Sequence, residues 1–423
     1  MIKRLLKANG TLALFDQGIV SFTRFFTSVL IGRLCGPEDL GIYAFCFTIL
    51  LLALSVQDSL ITKPYTMLRQ TQPGDRSQEY LGSILHQHGL LALTFALGAS
   101  LVGFICAHFE LVQGKFSIVI LILAILVPFT LFWDLMRRIA FAHFRMFEAA
   151  VLDAALAILQ LSLLLILALM GELYLYLAMV GIPLATAIIG TIWFALWRRN
   201  FNADIRSYRR DWVANWDFGR WILAGQLLGT LHGYAVPWVL ALTVGIASTG
   251  IFVAAQTIIL LTNPMVLGLT NWLEPRAAQV TATEGPSGLR DLIFKVMVGV
   301  TGLMSAFALV FMVLGPFLLE FVFGADYQGY GLLVGIFGLC PVAWSASSVL
   351  SSGLVALQQS RTVFWGSIIG FVSTLLLVIP FSNQWDLVGA AVALLAGSTV
   401  ICIFLLTRFV QEVSRGDLMA SYS

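Results

Sequence analysis

Apolar runs long enough to cross a bilayer recur from Leu12 almost to the C-terminus, separated only by short polar or Gly/Pro breaks. A helix needs about 20 mostly apolar residues to span the hydrocarbon core. Cutting the runs at the breaks predicts helices near 12–32, 42–62, 81–105, 116–135, 149–170 and 173–197, then near 219–244, 250–273, 292–314, 329–350, 363–381 and 387–406. The predicted fold class is an all-α integral membrane protein of about twelve transmembrane helices. Composition agrees: 59% of the chain is hydrophobic and 11% charged, against about 25% charged in an ordinary soluble domain.

Charge placement tests this count. Twelve spans make the connections alternate sides, and all 24 lysines and arginines fall on the N-terminal side except Arg33, Lys115 and, within a span, Arg24. Basic residues concentrate on the cytoplasmic side of membrane proteins, so the expectation is a multi-pass protein of the cytoplasmic membrane with both termini cytoplasmic. The outer connections are short and acidic, with Glu38, Asp39, Glu110, Glu172, Glu320, Asp326 and Asp386. Lys3, Arg4 and Lys7 before an apolar run look like a signal peptide, but the run is too long and lacks a small-residue cleavage site, which reads as a retained first helix. Cys35, Cys46, Cys106, Cys340 and Cys402 are scattered singly and read as packing residues.

The longest connection, from Arg198 to Arg220, carries Trp212, Trp216 and Trp221 and reads as a cytoplasmic linker at headgroup level. Arg206, Arg209 and Arg210 there either control topology or capture an anionic lipid headgroup; positive-inside placement alone predicts the first. An internal repeat lies across this linker. At an offset of 209 residues Gly36, Gly41, Ile42, Tyr43, Thr48 and Ile49 fall on Gly245, Gly250, Ile251, Phe252, Thr257 and Ile258. Two halves of six spans keep the same orientation and relate by an axis along the membrane normal, which suits a cleft between two bundles. The expected units are a six-helix bundle over 1–205 and another over 206–423.

Gln17, Ser21, Arg24 and Ser28 stand on one face of the first helix, and Gln226 and Thr230 continue the stripe at equivalent positions of the seventh, where His232 and Tyr234 flank the counterpart of Arg24. A charge near mid-membrane costs about 2.5–3.5 kcal/mol on insertion scales and must face protein or water. Arg24 therefore either binds substrate or pairs with Asp16 or Asp58. A guanidinium suits phosphate or pyrophosphate because its fork gives two parallel charge-assisted hydrogen bonds. The candidate substrate-binding residues are Arg24, Gln17, Ser21, His232, Tyr234 and Gln226. Asp16, Asp58 and Asp153 are candidates for a coupling proton or Na+, although their positions near the cytoplasmic ends of helices also suit solvated carboxylates. Gln57, Gln160, Gln256, Asn263 and Asn271 could bind sugars or join helices.

No Gly-x-x-x-x-Gly-Lys-Ser/Thr loop, His-Glu-x-x-His pair or cysteine-histidine cluster occurs, which argues against ATP hydrolysis and metal catalysis. No catalytic residues, resident cofactor or nucleic-acid partner are expected. A membrane enzyme such as a polysaccharide polymerase would need a sizeable outer loop with catalytic carboxylates or arginines, and this chain has none.

The segment from Leu30 to Ala44, Leu-Ile-Gly-Arg-Leu-Cys-Gly-Pro-Glu-Asp-Leu-Gly-Ile-Tyr-Ala, resembles the helix 1 to 2 signature of polysaccharide-export flippases in the multidrug/oligosaccharidyl-lipid/polysaccharide (MOP) superfamily. Glu274-Pro275-Arg276 and Phe323-Gly324-Ala325-Asp326-Tyr327 are similar to that family too. The resemblance implies two six-helix bundles in a V around a central cavity, carrying a polyprenyl-pyrophosphate-linked oligosaccharide from the inner to the outer leaflet by alternating access. Cationic residues in the cavity are implied; Arg24 matches, while no mid-membrane arginine stands in the seventh helix. The implied partners are membrane lipid, the lipid-linked oligosaccharide and polysaccharide assembly proteins, with a monomer as working unit. The alternative is a cation-coupled multidrug exporter of the same superfamily.

Overall fold

The structure is a computed structural model that describes residues 2–69, 74–109, 115–143, 145–197 and 207–421, with side chains from Phe15 to Arg415 apart from a few positions. Arg206 and the side chain of Asn271 lie outside the described residues. Among the described residues all regular structure is helical: α1 Ile2–Cys35, α2 Pro37–Gln57, a π-helical turn Asp58–Thr62, α3 Lys63–Leu68, α4 Gly74–His108, α5 Lys115–Ala142, α6 Met146–Leu169, α7 Leu175–Trp197, α8 Tyr208–Thr243, α9 Ile246–Ile259, α10 Asn263–Phe323, α11 Gly331–Ala356 and α12 Ser360–Ser421.

Nine helical stretches among the described residues are long and apolar enough to cross a membrane. Two of them are double. α10 breaks at Gly285, whose φ of 73° suits a residue without Cβ, and α12 breaks at Trp385 and Asp386. α8 is also long enough, at 36 residues, but Arg220, Gln226 and His232 lower its hydropathy. With those three additions the described helices give the twelve crossings read from the sequence. Large exposed apolar side chains such as Leu97, Phe104, Leu169, Leu242 and Val313 cover the outside, a surface suited to lipid and not to water.

The chain divides into two compact units, Met1–Cys35 with Ile42–Leu231, and Gly36–Gly41 with His232–Ser423. The sequence places the boundary at 205/206; here the start of α8 packs within the first unit. Gly219 allows this, because a Cβ there would strike the Ser59 carbonyl in the π-helical turn. The stretch 208–220, read as linker, is helix. Its buried side is polar: Asn215 accepts from the Tyr80 hydroxyl and donates to Gln87 at 2.8 Å.

The first unit packs Leu60, Ile61, Tyr65, Ile84, Leu135 and Trp193 together. The second packs Val266, Leu289, Ile293, Met304, Leu350 and Phe409. Within the second unit the turn Gly36–Gly41 lies on α9. A Cβ on Gly41 would strike the Ile246 carbonyl, and one on Gly250 the Pro37 carbonyl. Pro37 and Ile246 are themselves equivalent at the 209-residue offset, so the contact is reciprocal, as across a two-fold axis. Gly36 and Gly245 take matching positive φ angles of 89° and 119°.

Candidate functional site

The buried charges gather in the first unit. Arg137 of α5 donates from Nε to Asp153 Oδ2 of α6 at 2.5 Å and from Nη2 to Asp16 Oδ2 of α1. All three side chains are almost fully buried. Three helices thus meet on one guanidinium, whose fork serves two carboxylates at once. The rings of Trp133 and Phe141 flank it, 5.9 and 4.9 Å from the guanidinium carbon. Formally one positive charge faces two negative ones, and Oδ1 of each carboxylate has no hydrogen-bond partner among the described residues.

This arrangement corrects three readings of the sequence. Asp16 and Asp153 are not solvated carboxylates: they are 1% and 2% exposed. Arg137, read as a topology charge after a helix ending at 135, lies inside α5, which continues to Ala142. Asp16, a candidate partner of Arg24, is paired with Arg137. The missed signal is the spacing of Asp134, Arg137 and Arg138, which stacks charges on successive turns if the helix is extended by two turns.

Asp58 anchors a second cluster. It accepts from Gln226 Nε2 of α8 at 2.6 Å and from Thr62 Oγ1 at 2.9 Å, and Lys63 Nζ stands 3.0 Å away. Arg138 bridges toward Asp58 and Asp134 at 3.8 and 3.6 Å. Gln57 donates to the Leu131 carbonyl and to Asp134, and its Oε1 contacts His88 Nδ1 at 2.9 Å. Gln57 therefore joins helices, as does Gln160, which donates to Thr27. Gln226, a candidate for substrate, has its amide committed to Asp58. The carboxylate sits where the α-helical ladder gives way to a π-helical turn, a distortion frequent at functional sites.

Arg24 is exposed on α1, its guanidinium carbon 5.4 Å from the centre of the Phe47 ring of α2. It lines a cavity of about 90 Å³ inside the first unit, whose other polar walls include Thr23, Tyr43, Thr130, Asp153 and Gln160. Most of its lining is apolar, with Leu50, Leu54, Leu126, Leu156 and Met179 among the walls. One cavity thus brings Arg24 and Asp153 together. Gln17 and Ser21 are half-buried on α1. His232 and Tyr234 belong to the second unit, where the His232 ring stands 6.0 Å from that of Phe371. Among the described residues no group of three or more His, Cys, Asp or Glu side chains could hold a metal ion.

A membrane-embedded helical protein with buried charged groups and no metal-binding cluster among its described residues is the class the geometry defines, and solved structures narrow it to the MOP fold. An inward-facing multidrug resistance MATE family transporter of the MOP superfamily is 13% identical, with a TM-score of 0.77 over 93% of this chain and 94% of that one. The lipid II flippase MurJ in an inward closed conformation is 12% identical, with a TM-score of 0.69 over 97% and 90%. A mutant of the Vibrio cholerae MATE transporter VcmN is 17% identical, with a TM-score of 0.61 over 98% of each chain. No curated protein matches the chain. Residues 6–273 match the family described as polysaccharide biosynthesis protein, and the chain belongs to that family.

Proposed function

We propose that the protein is a flippase that carries a polyprenyl-pyrophosphate-linked oligosaccharide from the inner to the outer leaflet of the cytoplasmic membrane by alternating access, for surface polysaccharide assembly. The observation that carries the reading is Arg24: an exposed guanidinium that lines a cavity in a chain whose family is named for polysaccharide biosynthesis. Its planar fork can take two oxygens of a pyrophosphate, with Gln17 and Ser21 on the same stripe and His232 and Tyr234, which flank the sequence counterpart of Arg24, as further candidate contacts. Asp16 and Asp153 are the proposed exchange site for a coupling proton or Na+, since each keeps a buried carboxylate oxygen without a partner. Asp58, tied to Gln226 and Lys63, is the secondary candidate. Both termini are proposed to be cytoplasmic on the charge pattern, the two compact units, divided along α8 between Leu231 and His232, to move as bodies, and the monomer to be the working form.

A specific observation favours a second reading. The fold similarity to a multidrug resistance transporter is high, and the Asp16, Arg137, Asp153 cluster suits a cation-coupled exporter of amphipathic small molecules. The two readings part on deletion of the gene. The flippase reading expects loss of a surface glycan and accumulation of its lipid-linked precursor inside, with Arg24→Ala reproducing the loss and Arg24→Lys restoring it only partly. Retained glycan together with drug sensitivity would instead support the exporter. Asp16→Asn, checked for normal protein level, is expected to slow transport in either case.

A further inference from the structure

The exposed arc of α1 has two chemically distinct halves. With 100° per residue, Gln17, Ser21, Arg24 and Ser28 occupy one side of the arc, while Phe15, Gly18 and Phe22 occupy the other. Asp16, Thr23 and Thr27 turn inward between them, on the far side of the helix. The aromatic half borders a groove of about 690 Å³ against α6, floored by Gly18 and Ala154 and walled by Phe15, Phe22, Ile158 and Leu161. The groove is apolar throughout. Its walls stand open, with Phe15, Phe22 and Ile158 exposed by 64%, 54% and 68%.

Plain lipid contact does not require a groove; a closed ridge of leucine would cover the helix pair equally well. Here small residues open a trough along two helices, and the same helix carries the polar stripe proposed for the headgroup. An amphipathic substrate needs both surfaces at once, because a pyrophosphate held at Arg24 leaves its hydrocarbon chain to be placed nearby. We infer that the groove between α1 and α6 seats the first isoprenoid units of the substrate's lipid chain, so that α1 binds the substrate at both its polar and its apolar part. This inference rests on the flippase reading and assigns the chain a seat on the protein, where free bilayer would otherwise serve.

Gly18 offers a clean test, because a Cβ there meets nothing within 4 Å. Gly18→Leu adds an apolar side chain at the trough from a position with room for its Cβ and replaces glycine by a better helix former. Gly299→Leu on α10 of the second unit, equally open, is the control. Purified full-length protein in nanodiscs is photolabelled with a polyprenyl pyrophosphate carrying a diazirine on its second isoprene unit and, separately, with a diacyl phospholipid carrying a diazirine on one acyl chain. Labelled peptides are mapped by mass spectrometry. The inference expects polyprenyl label on 154–161 and 15–22, displaced by unlabelled polyprenyl pyrophosphate and reduced at least tenfold by Gly18→Leu but not by Gly299→Leu. Equal labelling by the phospholipid, not displaced by polyprenyl pyrophosphate, would make the groove an ordinary bilayer contact and overturn the inference. Displaceable polyprenyl label elsewhere on the protein would overturn the groove and leave the flippase reading intact. No displaceable polyprenyl label anywhere would remove both.

Discussion

The two units share a repeat in sequence and differ in what they bury. In the first, Asp16, Asp58, Asp134, Arg137, Asp153 and Asp211 are all buried alongside Gln57, Gln87, His88, Gln160 and Asn215. In the second, the buried polar side chains among the described residues are hydroxyls, apart from Asp39 in the turn that packs on α9. At the repeat offset Arg24 falls on Gly233 of the second unit, while Asp16 falls on Gly225, in the part of α8 that packs within the first. The repeated turns therefore accompany two different interiors. The glycine turns that set helix entry occur in both sequence halves, while buried ionic side chains concentrate in the first unit. A buried charge is expensive unless paired, so its concentration in the first unit points to a task that needs charge there.

The largest expected effect breaks that contrast from the ionic side. Arg137→Ala leaves Asp16 and Asp153 buried without their cation and should cost about 3–5 kcal/mol of stability, read as a lowered unfolding temperature in detergent. Neutralising Asp16 and Asp153 to Asn in the same chain should recover much of the loss. A loss that the added Asn residues leave unchanged would mean that Arg137 matters for its volume and not for its charge. In the second unit Phe337, packed edge-on to Phe252 at 4.7 Å, should lose a comparable amount on truncation to Ala, with no charge change able to restore it.

Next in size is the packing common to both halves. Gly250→Ala drives a Cβ into the Pro37 carbonyl and should cost about 1–3 kcal/mol. Gly225→Ala, where a Cβ meets nothing within 4 Å, should instead gain about 0.5–1 kcal/mol from helix preference. Equal responses at the two glycines would remove the close contact from the account.

The smallest effect concerns His143, in the connection between α5 and α6. Burial, with Arg69 and Arg145 nearby, lowers its pKa to about 4, and Tyr65 Oη stands 2.9 Å from Nε2. A histidine held neutral by the fold contributes stability that is complete above its ordinary pKa near 6.5 and is lost as pH falls toward 4. His143→Gln should flatten the stability profile over that window, measured by thermal unfolding from pH 7 to pH 4.

The spans were legible because lipid enforces long apolar runs, and the turns because glycine at Gly36 and Gly245 marks positive φ. The start of α8 was not, since Asp211, Asn215 and Gly219 face other helices and Trp216 and Trp221 face outward, which inverts the usual pattern. Arg24 was legible as a charge within a span, whereas the burial of Asp16 and Asp153, at positions that also suited solvated carboxylates, was not. Nor was their partner: Arg137 stands at the end of an apolar run, where sequence alone cannot tell a loop charge from one folded inward by two more helical turns. Likewise Gln226 looked free for substrate until α8 was seen to lie against Asp58.

The measurement that bears most directly on the account is transport by purified protein in proteoliposomes, using a fluorescent polyprenyl-pyrophosphate oligosaccharide and a membrane-impermeant reagent that quenches only the outer leaflet. The account predicts accelerated transbilayer movement by the wild type, movement near the protein-free rate for Arg24→Ala, and partial recovery for Arg24→Lys at equal protein incorporation. Movement by Arg24→Ala at the wild-type rate, or none by the wild type with a coupling proton or Na+ gradient imposed, would contradict it.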